Sequence, residues 1–222
     1  ALGDGVGVDS PVPLAVTDLS AVCVERIASG NGFSCVTLNG GGAMCWGSND
    51  YGSLGNGGTV YEVAAVDVDP YLGTLDDITA GREHVCVAHS FGNVYCWGQG
   101  TSGQLGNGAD DDENAPVEAT GLTGVIDVAA GRAHSCAMTS GGAVYCWGNN
   151  DHGQLGDDTT TPSNTAVLVS GITTAAAITA GDDFSCALLS DHTIRCWGRN
   201  NSRQLGDGTT ADSGLPVTVL GL

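Results

Sequence analysis

A short pattern that occurs four times along this chain constrains its fold more than any other feature. Each copy has two cysteines ten residues apart, the second followed at once by Trp-Gly, and the copies begin at Cys35, Cys86, Cys136 and Cys186. The four tryptophans are 51, 50 and 50 residues apart. A unit of this length is one supersecondary motif that cannot bury its apolar face alone. The sequence therefore predicts a stack of similar units.

The third copy shows most clearly how one unit is built. Val125–Ala130 is an alternating apolar run that ends at Gly131, and a hairpin of Ser135–Thr139 and Ala143–Trp147 follows. After a long loop, Thr165–Val169 is the fourth segment. Four antiparallel strands that repeat at this spacing are typical of β-propeller blades. We therefore predict an all-β propeller, in which the small residue and glycine at the end of each first strand suit a crowded axis.

The repeat divides the chain, treated as a single repeat domain over residues 1–222, into four blades and one additional segment. The predicted blades cover residues 24–68, 75–120, 125–169 and 175–220. The additional segment, residues 2–16, is predicted to form a loop and a surplus strand, and its pattern is that of residues 205–222. Three explanations stay open: a fragment of a longer array, a closed small propeller with a redundant strand, or chains that join head to tail through the surplus edge.

The composition excludes several classes of protein. The chain has 25 Asp and Glu, six Arg and no Lys, which gives a formal net charge of −19. Because nucleic-acid binding normally depends on Lys and Arg that neutralise phosphates, we expect no nucleic-acid partner. No apolar run reaches 18 residues, so we expect no membrane span.

Eight of the nine cysteines occur in the repeated pairs. Each pair brackets a hairpin, which can place its two members opposite each other on neighbouring strands. The predicted disulfides are Cys35–Cys45, Cys86–Cys96, Cys136–Cys146 and Cys186–Cys196. A zinc or redox site is the alternative, but such sites need CxxC-type clusters or nearby His ligands. Disulfides indicate an oxidising compartment, so we expect an extracellular, cell-surface or periplasmic protein.

The ninth cysteine, Cys23, has no counterpart in the other copies. Two interpretations stay open for it. It either forms a bond with another chain or is a buried free thiol that packs as a small apolar side chain.

Several short motifs recur in a fixed order around each Cys-Trp-Gly. In the third copy they are Ala130-Gly131 with His134-Ser135, Trp147-Gly148-Asn149 and Gly153-Gln154-Leu155-Gly156. This order resembles the regulator of chromosome condensation repeat, in a secreted version of bacterial type with a Cys pair in each repeat, and the match extends over nearly the whole chain. The resemblance implies a propeller, of about seven blades in family members. It also implies protein partners, since such propellers act in guanine-nucleotide exchange on a small GTPase and in the inhibition of β-lactamase.

The residues that recur in every copy are expected to serve packing. The tryptophan of each copy is predicted to fill the contact between blades, because aromatic side chains dominate core burial. These residues are Trp46, Trp97, Trp147 and Trp197. His84 and His134 take a position that Phe33 and Phe184 occupy in the other copies. Packing with one hydrogen bond is therefore the role predicted for the two histidines.

One acidic run is a candidate metal site. Asp110, Asp111 and Asp112 lie in a loop of the second copy, and a cluster of carboxylates supplies the oxygen ligands that Ca²⁺ prefers. The run lacks the alternating spacing of a calcium loop, so a solvated acidic loop is the alternative interpretation. We expect no other cofactor.

The sequence shows no catalytic constellation, so we expect no enzyme. The favoured function is a non-catalytic extracellular scaffold that self-assembles head to tail into a surface or filamentous structure, with other copies of itself as partners. The alternative is a module that binds or inhibits another protein, for which Tyr51, Tyr61, Tyr71, Arg199 and Arg203 are the anchor candidates. Guanine-nucleotide exchange is disfavoured for a disulfide-bonded chain outside the cytosol.

Overall fold

A computed structural model describes residues 2–20 and 22–221 of the chain. Within these residues the sixteen regular elements are all β-strands. The same part of the chain contains no helix that is long and apolar enough to cross a membrane. The strands form four sheets of four antiparallel strands each, as the repeat pattern predicts.

Each sheet is made of consecutive strands, so each copy of the repeat forms one blade. The first blade contains β1 (Val24–Ser29), β2 (Phe33–Leu38), β3 (Ala43–Gly47) and β4 (Glu62–Asp67). The second contains β5 (Leu75–Ala80), β6 (His84–His89), β7 (Val94–Gly98) and β8 (Glu113–Glu118). The third contains β9 (Val125–Ala130), β10 (His134–Thr139), β11 (Val144–Gly148) and β12 (Ser163–Leu168). The fourth contains β13 (Ala175–Ala180), β14 (Phe184–Leu189), β15 (Ile194–Gly198) and β16 (Ser213–Thr218).

The register within each hairpin explains the cysteine spacing. Cys136 on β10 lies directly opposite Cys146 on β11, and the pair of each other blade has the same relation. The structure contains all four predicted disulfides, from Cys35–Cys45 to Cys186–Cys196. A bond across the centre of every blade therefore fixes its two middle strands to each other.

The apolar core lies between the blades. Leu54 of the first blade packs in one cluster with Trp97 of the second, and Leu155 of the third packs in another with Trp197 of the fourth. An equivalent cluster joins the second and third blades. All these leucine and tryptophan side chains are fully buried. At each of these three contacts the repeated tryptophan therefore packs between two blades.

Trp46 of the first blade is buried in a smaller cluster, against Val16 of the additional segment and Leu19 just after it. In the part of the chain that the structure describes, no apolar cluster joins the fourth blade to the first. The four blades therefore form an open arc with two distinct ends.

The first strands of neighbouring blades lie side by side around a cavity of about 440 Å³. Their terminal glycines are closely packed: a Cβ added to Gly30 would lie 2.6 Å from the Gly81 carbonyl oxygen, and one added to Gly131 would lie 2.5 Å from that of Gly181. The crowded axis expected from the glycine pattern is therefore present.

The surplus strand predicted within residues 2–16 is represented by one isolated antiparallel bridge, between Asp4 and Ala64 of β4. The rest of the segment forms no ladder, and Val6, Val8 and Val12 are exposed. The physical reason is that the fourth, outermost strand of a blade is stable only when it pairs with the third strand of that blade. The described residues provide no such third strand for residues 2–16.

Candidate interaction surfaces

Every contact between blades repeats one geometry around the tryptophan. Trp97 Nε1 donates a 3.0 Å hydrogen bond to the Ser53 carbonyl oxygen of the preceding blade. Gly55 lies beneath the indole, where an added Cβ would be 2.8 Å from Nε1. We call the four residues that contain this glycine the wedge of a blade. The wedges are Leu54–Gly57, Leu105–Gly108, Leu155–Asp158 and Leu205–Gly208.

The wedges of the first three blades also bond to the last strand of the following blade. The Gly57 amide donates to the Asn114 carbonyl oxygen at 2.9 Å, and the Gly108 amide donates to that of Asn164 at 2.9 Å. The third wedge repeats this bond from Asp158 to Gly214, also at 2.9 Å. One indole contact and one backbone bond therefore define how a wedge docks.

Leu2–Gly5 at the start of the chain docks on the first blade in the same way. A Cβ added to Gly3 would lie 2.8 Å from Trp46 Nε1, and the Gly5 amide donates to the Val63 carbonyl oxygen at 2.9 Å. Residues 2–16 thus supply the first blade with a fifth wedge.

Within the part of the chain that the structure describes, the wedge of the fourth blade lies against no tryptophan. A Cβ added to Gly206 would meet only Val219 of its own blade. Around it, Leu188 is 39% exposed, whereas its counterpart Met138 in the third blade is 3% exposed. We call Phe184, Leu188, Ile194 and Gly206 the tail face. It is the surface by which each other blade contacts the next one, here left open.

The opposite end of the arc is open as well. On β1, Ile27 is 68% exposed, whereas its counterpart Ile78 on β5 is 6% exposed because it packs against the first blade. We call Val24, Ile27 and Trp46 the head face, and Leu2–Gly5 covers its tryptophan. The head and tail faces consist of the residue types that pack together at the three internal contacts.

Polar side chains complete the contacts near the axis. The Val128 amide donates to Asp77 Oδ2 at 3.2 Å, and the Ile178 amide donates to Asp127 Oδ2 at 3.1 Å. Each carboxylate thereby accepts a hydrogen bond from an N–H group on the first strand of the following blade, at the edge of that strand that pairs with no other strand. Burial, together with the neighbouring Asp77 carboxyl, raises the pKa of Asp127 to about 6. The recurrence of Asp at one position of consecutive first strands is the sequence signal for this role.

A buried carboxylate joins the third and fourth blades. Asp183 forms an ion pair with Arg132, with 3.3 Å between Nη2 and Oδ1, and accepts a 3.0 Å hydrogen bond from Arg199 Nη1. Asp183 is buried, whereas both guanidinium groups are partly exposed. Removing the two arginines would therefore leave a buried carboxylate without a charged partner.

The two buried histidines bond to the following blade. His84 Nε2 lies 2.8 Å from Ser135 Oγ, and the Ser135 hydroxyl donates to the Gln104 carbonyl oxygen at 2.9 Å. Since the serine proton is used there, His84 must donate from Nε2, which leaves Nδ1 as a buried acceptor without a partner. Packing with one hydrogen bond, the predicted role, is confirmed. Burial is the main cause that lowers the pKa of His84 to about 3 and that of His134 to about 4.

The acidic run of the second copy is used in part for local structure. Asp112 Oδ1 accepts a 2.9 Å hydrogen bond from the Gly100 amide. Among the residues that the structure describes, no group of three or more His, Cys, Asp or Glu side chains is arranged to bind a metal ion. Calcium binding by Asp110, Asp111 and Asp112 stays a prediction.

Cys23 is a free, exposed thiol. The interpretation as a buried thiol is therefore wrong, and a bond to another chain stays a prediction. Two of the anchor candidates have partners within the chain, since the Tyr71 hydroxyl donates to the Gly40 carbonyl oxygen at 2.7 Å and Arg199 bonds to Asp183. Sequence reasoning missed Leu188 and Gly206, although alignment of the copies shows both residues at contact positions.

Comparison with known proteins agrees with this geometry. Two models of the regulator of chromosome condensation (RCC1) repeat match the chain, one at residues 92–138 and 141–188 and the other at 24–53, 76–104, 125–154 and 175–204. The ultraviolet-B receptor UVR8 of Arabidopsis thaliana is 31% identical over 124 residues, which are 55% of this chain and 28% of the receptor. The human E3 ubiquitin-protein ligase HERC2 is also 31% identical over 124 residues, 55% of this chain and 3% of the ligase.

Solved structures show the same fold. Human WBSCR16 superposes with a TM-score of 0.81 at 24% identity, over 95% of this chain and 55% of that chain. Prp20p of Saccharomyces cerevisiae superposes with a TM-score of 0.82 at 18% identity, over 94% of this chain and 53% of that chain. The chain thus spans about half the length of these propellers. Since one repeat model alone covers more than half of the chain, the protein belongs to the RCC1 repeat family.

Proposed function

We propose that the chain is a non-catalytic scaffold of an oxidising, extracellular compartment that binds protein through the ends of its blade arc. Its first partner is another copy of itself, joined head to tail. The observation that carries this proposal is the exposure of Leu188 on the tail face, at a position that Met138 occupies, buried, in the preceding contact between the third and fourth blades. An apolar face with this repeated geometry favours another blade as its partner.

The head face provides the matching surface. Ile78 and Ile178, the counterparts of Ile27, pack against the preceding blade within the inter-blade clusters. A second copy that presents Ile27 to the tail face would therefore repeat a contact that the fold already contains. Such a heterologous contact closes a ring or extends a filament, depending on the rotation between copies.

Two further findings support the proposal. The four disulfides suit an oxidising compartment. Protein binding is a property of relatives, since Prp20p has been described with its binding properties to Gsp1p and histones, and yeast RCC1 has been solved bound to Kap60.

A substitution on the tail face tests the function. Leu188→Glu places a charge in the proposed contact while leaving the buried core unchanged. Leu168→Glu is the matched control, because Leu168 is 54% exposed on the outer strand β12, away from the inter-blade clusters. We expect Leu188→Glu to abolish concentration-dependent association in sedimentation velocity and Leu168→Glu to retain it. Equal association of both variants would contradict the proposal.

Binding or inhibition of a different protein at the axial rim is the second candidate function. Arg82 and Arg132 are two of only six basic residues, and both lie half-exposed beside the axial cavity. A partner with acidic groups would fit this rim. Such a partner is expected to lose affinity in an Arg82→Glu variant, which leaves the Arg132–Asp183 ion pair intact, and to keep it in Leu188→Glu, with the binding measured by calorimetry.

A further inference from the structure

Two segments of this chain have the same pattern and suit the same docking site. Residues 2–16 and 205–219 both open with Leu-Gly-Asp-Gly, and both continue with Asp-Ser, a proline and a final valine at equal spacing. In the fold each segment supplies one wedge. The two wedges are Leu2–Gly5 and Leu205–Gly208.

The first wedge occupies the site that a preceding blade would use. Gly3 lies beneath Trp46, and Gly5 donates the same 2.9 Å bond to β4 that Gly57 donates to β8. The second wedge has the same glycine, Gly206, at the indole position, but no indole lies against it. Trp46 of another copy could therefore provide the indole contact that the second wedge lacks.

The two segments are held to the fold unequally. The segment of the fourth blade contains β16, which pairs along β15 with Cys196 opposite Val217. Residues 2–16 have only the Asp4–Ala64 bridge to a strand, and Val6, Val8 and Leu14 are exposed. Displacing the first segment therefore disrupts far less paired and buried structure than displacing the second.

We propose that residues 2–16 are a displaceable cap on the head face, and that the ligand which replaces them is the wedge Leu205–Gly208 of a second copy. This inference rests on the proposed head-to-tail association and names the contact through which it occurs. On docking, Leu205–Gly208 of one copy takes the place of Leu2–Gly5 beneath Trp46 of the next. The exchange replaces one Leu-Gly-Asp-Gly wedge beneath Trp46 with another of the same sequence.

Docking of a second copy is favoured because it buries additional apolar surface around the wedge. Docking of a whole blade also buries Ile27 of one copy and Leu188 of the other, which the cap leaves exposed. The cap competes from within the same chain, where its effective concentration is high. Association is therefore expected only at elevated protein concentration, and removal of residues 1–16 is expected to lower the concentration needed by tenfold or more.

A covalent lock tests the inference. The native disulfides join directly opposed residues of antiparallel strands, as Cys136 and Cys146 show, and Asp4 and Ala64 have the same relation. Asp4→Cys/Ala64→Cys, made together with Cys23→Ser, would fix the cap to the first blade. Asp4→Ser/Ala64→Ser with Cys23→Ser is the matched control without the lock. Association of both is measured by sedimentation velocity over a wide range of concentration, beside the chain that lacks residues 1–16.

The three results separate the two claims. We expect the control to associate, the locked chain to stay monomeric, and the shortened chain to associate at lower concentration. If the locked chain associates as readily as the control, cap displacement is wrong and the proposed self-association stands. If neither the control nor the unmodified chain associates at any concentration, the proposed function is wrong, and this inference with it.

Discussion

His134 Nε2 donates to Ser185 Oγ of the next blade across 2.8 Å, and the corresponding contact between the first two blades pairs Phe33 with Val85 in one apolar cluster. The same place in the fold thus accepts either a hydrogen-bonded polar pair or an apolar pair. A histidine opposite valine would leave the buried imidazole N–H without an acceptor.

A double-mutant cycle follows from this relationship. His134→Phe is expected to cost about 1 kcal/mol, because one buried hydrogen bond is lost while Ser185 still donates to the Gln154 carbonyl oxygen. Ser185→Val is expected to cost about 1–3 kcal/mol, because the buried His134 N–H loses its acceptor. The double variant reproduces the Phe33–Val85 pair, so the two costs should not add. Urea unfolding measures the coupling, and strict additivity would show that the pair is not coupled.

The pH dependence of stability should report the two buried histidines. Burial lowers the pKa of His84 to about 3 and that of His134 to about 4, from the ordinary histidine value of 6.5. Below about pH 6.5 the unfolded chain binds protons that the folded chain does not, so the free energy of unfolding falls as the pH falls towards these values. Each histidine contributes at most about 1.4 kcal/mol per pH unit in this window.

Asp127 acts in the opposite direction. Its pKa is raised to about 6 from the ordinary aspartate value of 3.8, so its contribution to stability is present at low pH and is lost as the pH rises through 6. Two fully buried histidines should outweigh one half-buried carboxyl. We therefore expect net loss of stability from pH 6.5 to pH 4.5 by urea unfolding. His134→Phe/Ser185→Val should show a visibly smaller loss, and an unchanged slope in that variant would rule out the histidine explanation.

Removal of one disulfide should destabilise the fold without changing its architecture. The Cys136–Cys146 bond links residues ten apart, and loop-closure entropy predicts a contribution of about 3 kcal/mol at 25 °C for a loop of this size. Cys136→Ala/Cys146→Val fills the same buried space with apolar groups. Urea unfolding measures the loss, and far-UV circular dichroism should stay unchanged. A variant as stable as the parent chain would show that the bond does not constrain the unfolded state.

The repeated parts of the fold were predictable because the same pattern occurs in all four copies, so each copy supports the interpretation of the others. β9 coincides with the predicted run Val125–Ala130, and the cysteine spacing of ten identified all four disulfides. Strand ends were less accurate: β12 begins at Ser163, two residues before the predicted Thr165. Ser163, which was predicted to lie in the loop, pairs with Gly148 where the register between β11 and β12 is irregular. The apolar pattern of the sequence does not encode this pairing.

The ends of the arc could not be predicted from the pattern alone. Leu188 and Met138 are equivalent in sequence, and only the presence of a following blade makes one buried and the other exposed. The surplus strand was expected from the likeness of residues 2–16 to 205–219, yet pairing depends on a neighbouring strand that sequence likeness does not provide. Cys23 lies outside the repeat, so no other copy indicates its exposure.

The central claim is that the tail face of one copy binds the head face of another. Light scattering of the native protein over a wide range of concentration, with non-reducing electrophoresis alongside to detect a bond through Cys23, tests it most directly. We predict that the average mass rises with concentration above the 22.2 kDa of one chain. A constant mass of 22.2 kDa at every concentration would contradict the account.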